Sequence, residues 1–464
     1  MNLFTLIDES LTELDLNEVI SIQPQSCSSF HRLMEIYSQD MIMTDSMRDC
    51  LAIGLATHIS VALEGDPLWI YLVGAPSSGK STICELLASD EIHTRSLSKF
   101  TGLVSGSRQG SHLVPLLQGK CVIVKDGTLL LESSPQQLAN VYGELRDIFD
   151  GSLAVEYRNG VSASFTNVMF GMVVGITERI YSLNMAALGE RFLHCRLDTD
   201  RDIEVARNRA AFGNIFSSMS RSTSEGNEVG DSRSFPKQRA YTAGFLSYLH
   251  SKIREGEILR PEHTQADLDY IQSLTDVVAC SRAEAARSKE YGSSELLYDA
   301  RPEAGTRVGK QLAKMAVCLC YVFGETRITP NIRRLIRKIA VDTSTGRQNK
   351  IINTVAQSKG MHKNGIAAQS QIPLETITRK IDDLVSLGIL TSDHEANRAS
   401  HGRSISTYYC TDWIREAFRK VYPGATTNRK NPRPKPRPKA HSRPRPSAQK
   451  KRPVPKKKQN PPAR

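Results

Sequence analysis

Residues 68–89 read LWIYLVGAPSSGKSTICELLAS, and this stretch decides the fold. An apolar, β-rich run (68–73) leads into Gly74-Ala75-Pro76-Ser77-Ser78-Gly79-Lys80-Ser81-Thr82, which satisfies G-x-x-x-x-G-K-[ST], and the helical run STICELLAS follows at once. Each residue type has a task. Gly74 and Gly79 let the backbone wrap so that its N–H groups face phosphate oxygens, Lys80 offsets the β/γ charge, and the Ser81 hydroxyl can ligate Mg2+. Strand, loop and helix in this order predict a nucleotide site with ATP and Mg2+ as its ligands, on an α/β core with a parallel sheet.

A second element of such a site is an apolar strand that ends in an acid. Cys121-Val122-Ile123-Val124-Lys125-Asp126 fits, which makes Asp126 the Walker B candidate and a second metal ligand. The Glu that usually follows, and that would polarise the attacking water, is replaced by Gly127. The base is therefore open among Asp126, Glu132 and Glu144, and slow hydrolysis is expected.

The flanks sort by pattern. In residues 1–66, Phe30, Leu33, Met34, Ile36 and Tyr37 recur at helical spacing and MRDCLAIGLATHISVAL is a second amphipathic run, so a helical preface domain is predicted. In 67–200 the runs LWIYLV, CVIV and VMFGMVV alternate with helical segments, the pattern of a parallel sheet with flanking helices. Residues 201–345 are helix-rich, punctuated by SSMSRSTSEGNEVGDSRS (217–234), and predict a lid with a mobile loop. Residues 346–422 return to short helices followed by two strands. From 423 to 464 the composition is Pro, Lys and Arg, which cannot bury a core and predicts a disordered tail of polyproline II character.

The net charge of +12 belongs to that tail: residues 425–464 hold fifteen Lys/Arg and no acid, so residues 1–424 carry a net −3. An apolar fraction of 39% with 24% charged residues is that of a soluble globular protein, and the longest apolar stretches fall short of a membrane span. The opening MNLFTLIDESLTELD lacks a basic region before an apolar run, so a cytoplasmic location is expected, nucleoid-associated or nuclear according to the source. Nine cysteines without a CxxC pair argue against a disulfide framework or a zinc site, and Cys318 and Cys320 read as reduced core residues.

Downstream of Asp126 the order of elements resembles the AAA+ ATPases, in the group that includes the minichromosome maintenance helicases, over residues 68–345. The helix ANVYGELRDIFD (139–150) leads to GSLAVEYRNGVSASF (151–165), whose alternation about Asn159-Gly160 predicts a β-hairpin with a type I′ turn. In the family such a hairpin points a basic residue into the central pore, a role the resemblance gives to Arg158. The strand VMFGMVVGI, ending at Thr177, is similar to the sensor 1 strand, where a small polar side chain helps place water at the γ-phosphate. AALGERF (186–192) resembles the arginine-finger segment, so Arg191 would act in a neighbouring subunit and the chain would form a homo-oligomer, a ring. Arg307 resembles the sensor 2 arginine of the lid. The Glu after Asp126 and the family's N-terminal zinc-bearing domain are not visible here.

Residues 365–390 (GIAAQSQIPLETITRKIDDLVSLGIL) resemble the helix-turn-helix of winged-helix domains. Ile377, Ile381, Leu384 and Gly388 share one helical face, which leaves Thr376, Arg379 and Lys380 as base or phosphate contacts. ILTSDHE and ISTYYC would be the wing strands, and Arg398, His401 and Arg403 between them could touch phosphates. Asp382 and Asp383 oppose that electrostatics. The tail adds cations without an aromatic residue, which suits sequence-independent attraction to polyanions and not base stacking. The whole predicts a P-loop AAA+ core with a helical lid, a winged helix and a basic tail, acting on DNA as a helicase or translocase and not on membranes. A protein-remodelling chaperone and a nucleotide-gated DNA-binding regulator remain alternatives.

Overall fold

A computed structural model of the chain describes residues 22–97, 103, 112–182, 191–221, 235–257, 260–285, 301–302, 304–396 and 404–423. Two helices come first, α1 (Phe30–Asp40) and α2 (Asp45–Ile59), N-capped by the hydroxyls of Ser29 and Thr44. The α/β region then runs β1 (Trp69–Val73), α3 (Lys80–Leu87), β2 (Thr94–Leu97), α4 (Val114–Leu117), β3 (Cys121–Val124), α5 (Thr128–Leu131) and α6 (Pro135–Phe149). It continues through β4 (Ser152–Glu156), β5 (Ser162–Thr166), β6 (Gly171–Ile176) and β7 (Phe192–Arg196). Helices α7 (Arg201–Arg221), α8 (Pro236–Arg254), α9 (Gln265–Arg282), α10 (Thr306–Phe323) and α11 (Pro330–Thr343) follow.

The sheet is five-stranded and parallel, in the order β2-β3-β6-β1-β7. Its three inner strands, β3, β6 and β1, are apolar and buried on both faces because helices cover both. In β1 the alternation is strict: Ile70 and Leu72 enter one core, whereas Trp69, Tyr71 and Val73 enter the other. The second core is aromatic where β1 begins. Trp69 meets Phe149 edge-on at 5.0 Å and Phe170 in a stack at 5.5 Å, and its indole N–H donates to the Phe170 carbonyl at 2.8 Å.

The first core draws on the flanking helices. Helix α2 is buried from Cys50 to Ile59, and Gly54 sits so close to α3 that a Cβ there would lie 2.4 Å from Leu87 Cδ1. Residues 22–66 are thus no separate preface domain: α1 packs on α8, α2 packs on α10 and the sheet, and one apolar cluster joins them to α8–α11. Of the helices read as a lid, α8–α11 share this core, with α11 seated on β7. Of the segment expected as a mobile loop, residues 217–221 extend α7 and 222–234 lie outside the described residues. All nine cysteines are buried and free, in keeping with the reading of Cys318 and Cys320. Among the described residues no helix is long and apolar enough to cross a membrane.

The C-terminal elements are α12 (Arg347–Ala356), β8 (Met361–His362), α13 (Lys363–Ser370), α14 (Leu374–Ser386), β9 (Leu390–Ala396), β10 (Ser404–Cys410) and α15 (Asp412–Val421). The two strands expected from sequence form an antiparallel pair, to which the two-residue β8 adds a third in the order β8-β10-β9. Helix α15 buries Ile414, Ala417, Phe418 and Val421 and packs on α9 and α12. Compactness divides the chain into Met1–Pro423 and Gly424–Arg464; the basic tail lies outside the described residues.

One polar cluster ties three elements of the first core together. Asp90, in the turn after α3, accepts from the N–H groups of Ile92 and His93 at 3.0 and 3.2 Å and meets His93 Nδ1 at 2.8 Å. His58 of α2 reaches Thr94 Oγ1 at 2.7 Å and His250 Nε2 of α8 at 3.3 Å. The ligand atoms of Asp90, His93 and His250 lie within 4.8 Å of one another, a spacing that suits a metal. The His93 and His250 rings, however, are stacked 3.8 Å apart and 7° from parallel, so their in-plane lone pairs cannot converge on one ion. The cluster is hydrogen-bonded packing.

Burial pushes His250 down to about 4, with the His93 charge acting the same way, and burial likewise lowers His58. Both rings stay neutral in the fold where an unfolded histidine, near pH 6.5, begins to take up a proton. Their stabilisation is therefore full above about pH 6.5 and is lost as the pH falls toward the lowered folded values. Urea unfolding should show stability declining from pH 6.5 to 4.5 by about 1.4 kcal/mol per pH unit for each such histidine. His250→Phe, which keeps the stack on His93, should make that slope shallower; an unaltered slope would count against the assignment.

Candidate functional site

The loop of residues 74–82 leaves the C-terminal end of β1 and turns into α3. Two of its residues are left-handed, Ser77 at φ 61° and Gly79 at φ 100°, and Gly79 N-caps α3 without a side-chain cap. A left-handed serine costs about 1–2 kcal/mol, so the shape is held by its surroundings. Backbone of alternating hand forms a concave nest of N–H groups, set here against the first turn of a helix. Lys80 folds back over it: Nζ donates to the carbonyls of Gly74 at 2.8 Å and Ala75 at 2.6 Å, and to Ser78 Oγ at 3.4 Å. Burial lowers the pKa of Lys80, opposed by the charges of Asp126, Cys84 and Glu178. Ser78 is buried, Gly79 and Thr82 are half-buried, and Ala75, Pro76 and Ser81 are exposed.

The parallel register brings Asp126 and Thr177 to the same end of the sheet. Val73 pairs with Ile176, and the Gly74 N–H donates to the Ile176 carbonyl at 3.2 Å. Asp126 is exposed, and its Oδ1 accepts from the Thr128 N–H at 2.8 Å. Ser81 and Asp126 carry a hydroxyl and a carboxylate, oxygen donors of the type that a hard cation takes. Thr177 Oγ1 is buried without a hydrogen-bond partner, an orphaned polar atom beside the loop.

Position 127 has a steric reason for glycine. Its N–H donates to the Gly175 carbonyl at 2.7 Å, and a Cβ would lie 2.5 Å from Val174 Cγ1. The strands converge too tightly for the usual Glu. Of the acids considered as its replacement, Glu132 pairs with Arg179 at 3.1 Å and Glu144 accepts from the Leu103 N–H at 2.8 Å. Sequence reasoning missed Glu178, which follows Thr177 and pairs with Arg196 Nη2 at 3.0 Å. The available signal was the one that found Asp126, an acid just past an apolar strand.

Arg191 and Arg307 are brought together, but at the other end of the sheet. Arg191 opens β7 with 8% of its surface exposed, pairs with Asp150 Oδ2 at 2.6 Å and lies 5.9 Å from the Phe149 ring centroid. Arg307 Nη2 takes the other oxygen of Asp150 at 3.5 Å. Phe149 contacts Trp69, so strand β1, about 17 Å long at ~3.4 Å per residue, separates this pair from Gly74. In this structure both arginines are engaged by Asp150, a strand's length from Gly74.

Arg158 is exposed at the tip of the β4–β5 hairpin. The turn differs from expectation: Gly160, at φ 77°, is its left-handed residue and Asn159 is not, while Tyr157 accepts from the Gly160 N–H and donates to Val161. That is a three-residue loop with a glycine bulge in place of type I′. On α14, Ile377, Ile381 and Leu384 are buried as expected, Arg379 is exposed and Thr376 is half-buried. Lys380 is half-buried and lies 4.0 Å from Asp383, and Asp382 pairs with Lys363 at 3.4 Å. Arg398, His401 and Arg403 lie outside the described residues.

The crowding at Gly127 makes a stability prediction. Gly127→Ala should cost about 1–3 kcal/mol by overpacking against Val174. In a Val174→Ala background the cost should fall by more than half, as read from a double-mutant cycle of chemical unfolding. Additive costs would place the strain elsewhere.

Comparison with protein-family models finds no match, and comparison with curated proteins finds none either.

Proposed function

We propose that the chain is an ATP-binding and ATP-hydrolysing AAA+ motor that acts on DNA, helicase- or translocase-like, with ATP as substrate and Mg2+ held by Ser81 and Asp126. The observation that carries the reading is the posture of Lys80, folded onto the Gly74 and Ala75 carbonyls inside a concave loop at the N-terminus of α3. An ammonium and a ring of backbone amides are what a β/γ-phosphate needs. The orphaned Thr177 hydroxyl beside the loop supports a polar ligand or water there. Arg191, on leaving Asp150, would serve a neighbouring subunit in a ring, since its own loop is out of reach. Read as a winged helix, residues 346–422 would present Arg379 and Thr376 of α14 to a duplex, with Arg403 near the wing, Arg158 on the hairpin and the tail cations as further contacts. The closed position at Gly127 favours one second reading, a nucleotide-gated DNA-binding regulator that scarcely turns ATP over.

In Lys80→Ala, ATP binding and turnover should be lost, as measured by equilibrium binding and phosphate release. Mixing it with Arg191→Ala protein should restore part of the turnover if the arginine works between subunits. Wild-type ATPase in Lys80→Ala would sink the site assignment.

The two candidate DNA elements differ in kind. Deleting residues 425–464 should weaken binding to all duplexes alike and flatten the salt dependence, by about 0.9 in slope for each phosphate that the tail had neutralised. Arg379→Ala should instead change discrimination between duplex sequences by about 1–3 kcal/mol and leave the slope nearly unaltered. If neither change alters DNA affinity across a salt series, the DNA reading falls.

A further inference from the structure

We infer that Glu178 is the water-activating carboxylate of this site, an assignment that rests on reading residues 74–82 as an ATP site. The usual position is closed, since a side chain at 127 would run into Val174. A base must come from elsewhere, and strand order says where. Because β1 lies between β6 and β7, the ion pair between Glu178, just past β6, and Arg196, the last residue of β7, must cross the end of β1. That end is where Gly74 opens the loop. Two strand intervals, ~10 Å in all, are spanned by these two long side chains. The Glu178 carboxylate is thereby brought to the end of β1 where the loop begins, close enough for its charge to act on Lys80.

Arg196 is well placed to hold it. Its N–H donates to Asp342 Oδ2 at 2.7 Å and its carbonyl accepts from Lys338 at 2.7 Å, so α11 clamps the backbone from which the guanidinium extends. The Glu178 side chain is about half exposed, at 49%, so water can reach it. Glu132 is paired with an arginine just as Glu178 is, and Glu144 and Asp126 accept from the Leu103 and Thr128 amides; what sets Glu178 apart is its place at the strand end that opens the loop, where its charge acts on Lys80. In the reaction, the water oxygen forms a bond to the γ-phosphorus as the bond to the β–γ bridging oxygen breaks. Glu178 takes the proton that the water loses, ADP and inorganic phosphate leave, and the proton passes to solvent. Thr177 would orient the same water, and Arg196 is a positioning residue.

The test uses the full chain, with binding of a fluorescent ATP analogue and single-turnover hydrolysis of labelled ATP with Mg2+ as separate readouts. Glu178→Gln should bind the analogue nearly as wild type does while hydrolysis slows by about 10²–10⁴-fold. Glu178→Asp, which keeps a carboxylate on a shorter arm, should retain more rate than Glu178→Gln, and matching thermal unfolding of all three proteins would exclude loss of fold. Unchanged hydrolysis in Glu178→Gln, equal losses in the two variants, or a wild type that binds the analogue without hydrolysing it would each overturn the assignment. A wild type that binds no nucleotide overturns the ATP reading itself, a result recognisable because the binding readout fails before hydrolysis is measured.

Discussion

Burial of β1 on both faces is the constraint on which the rest depends. A central parallel strand loses its water on two sides, so it needs apolar side chains at every position and helices above and below. The chain meets that need with α2, α3 and the later helices on one face and with α6 and an aromatic cluster on the other. Parallel pairing then sends the C-terminal ends of β1, β3 and β6 the same way. Gly74, Asp126 and Thr177 arrive together as a consequence of sheet topology, without any direct attraction between them.

The same convergence has a cost for chemistry. Gly127 and Gly175 lie where β3 meets β6, and neither position has room for a side chain without displacing Val174 or the Lys125 carbonyl. The tightness that aligns the strand ends removes the place where an acid would ordinarily stand. Charge at this edge is carried instead by residues just beyond the strands, with Glu178 and Arg196 joined across β1 and Arg196 anchored in turn by Asp342 and Lys338. Helix α11 is thus connected to the rim of the loop through two hydrogen bonds and one ion pair, a physical route by which its position and that rim are coupled.

At the far end of the sheet a single carboxylate organises the arginines. Asp150 closes α6 and takes Arg191 on one oxygen and Arg307 on the other, so β7 and α10 are joined through it. Arg191 is nearly buried, and a buried guanidinium is stable only while its partner remains. Any role for it outside this chain requires exchanging Asp150 for another anion.

Local pattern was enough to read some of this from the amino-acid sequence. The strand–loop–helix of residues 68–89, the apolar strands ending near Asp126 and Thr177, the β4–β5 hairpin and the helix pair with two strands after residue 346 each carry their own periodicity and turn residues. Strand β2 was not legible, because as an edge strand it exposes Arg95 and Ser96 and has no apolar run. The place of α1 and α2 was not legible either: an amphipathic helix declares that it needs a partner without saying which. Only the tertiary structure decided that α2 lies in the main core, that Arg191 and Arg307 share Asp150, and that Glu178 reaches Arg196. Those ion pairs join residues 18 to 157 positions apart, and a pairing of that kind depends on strand order and helix packing, which no local window of sequence contains.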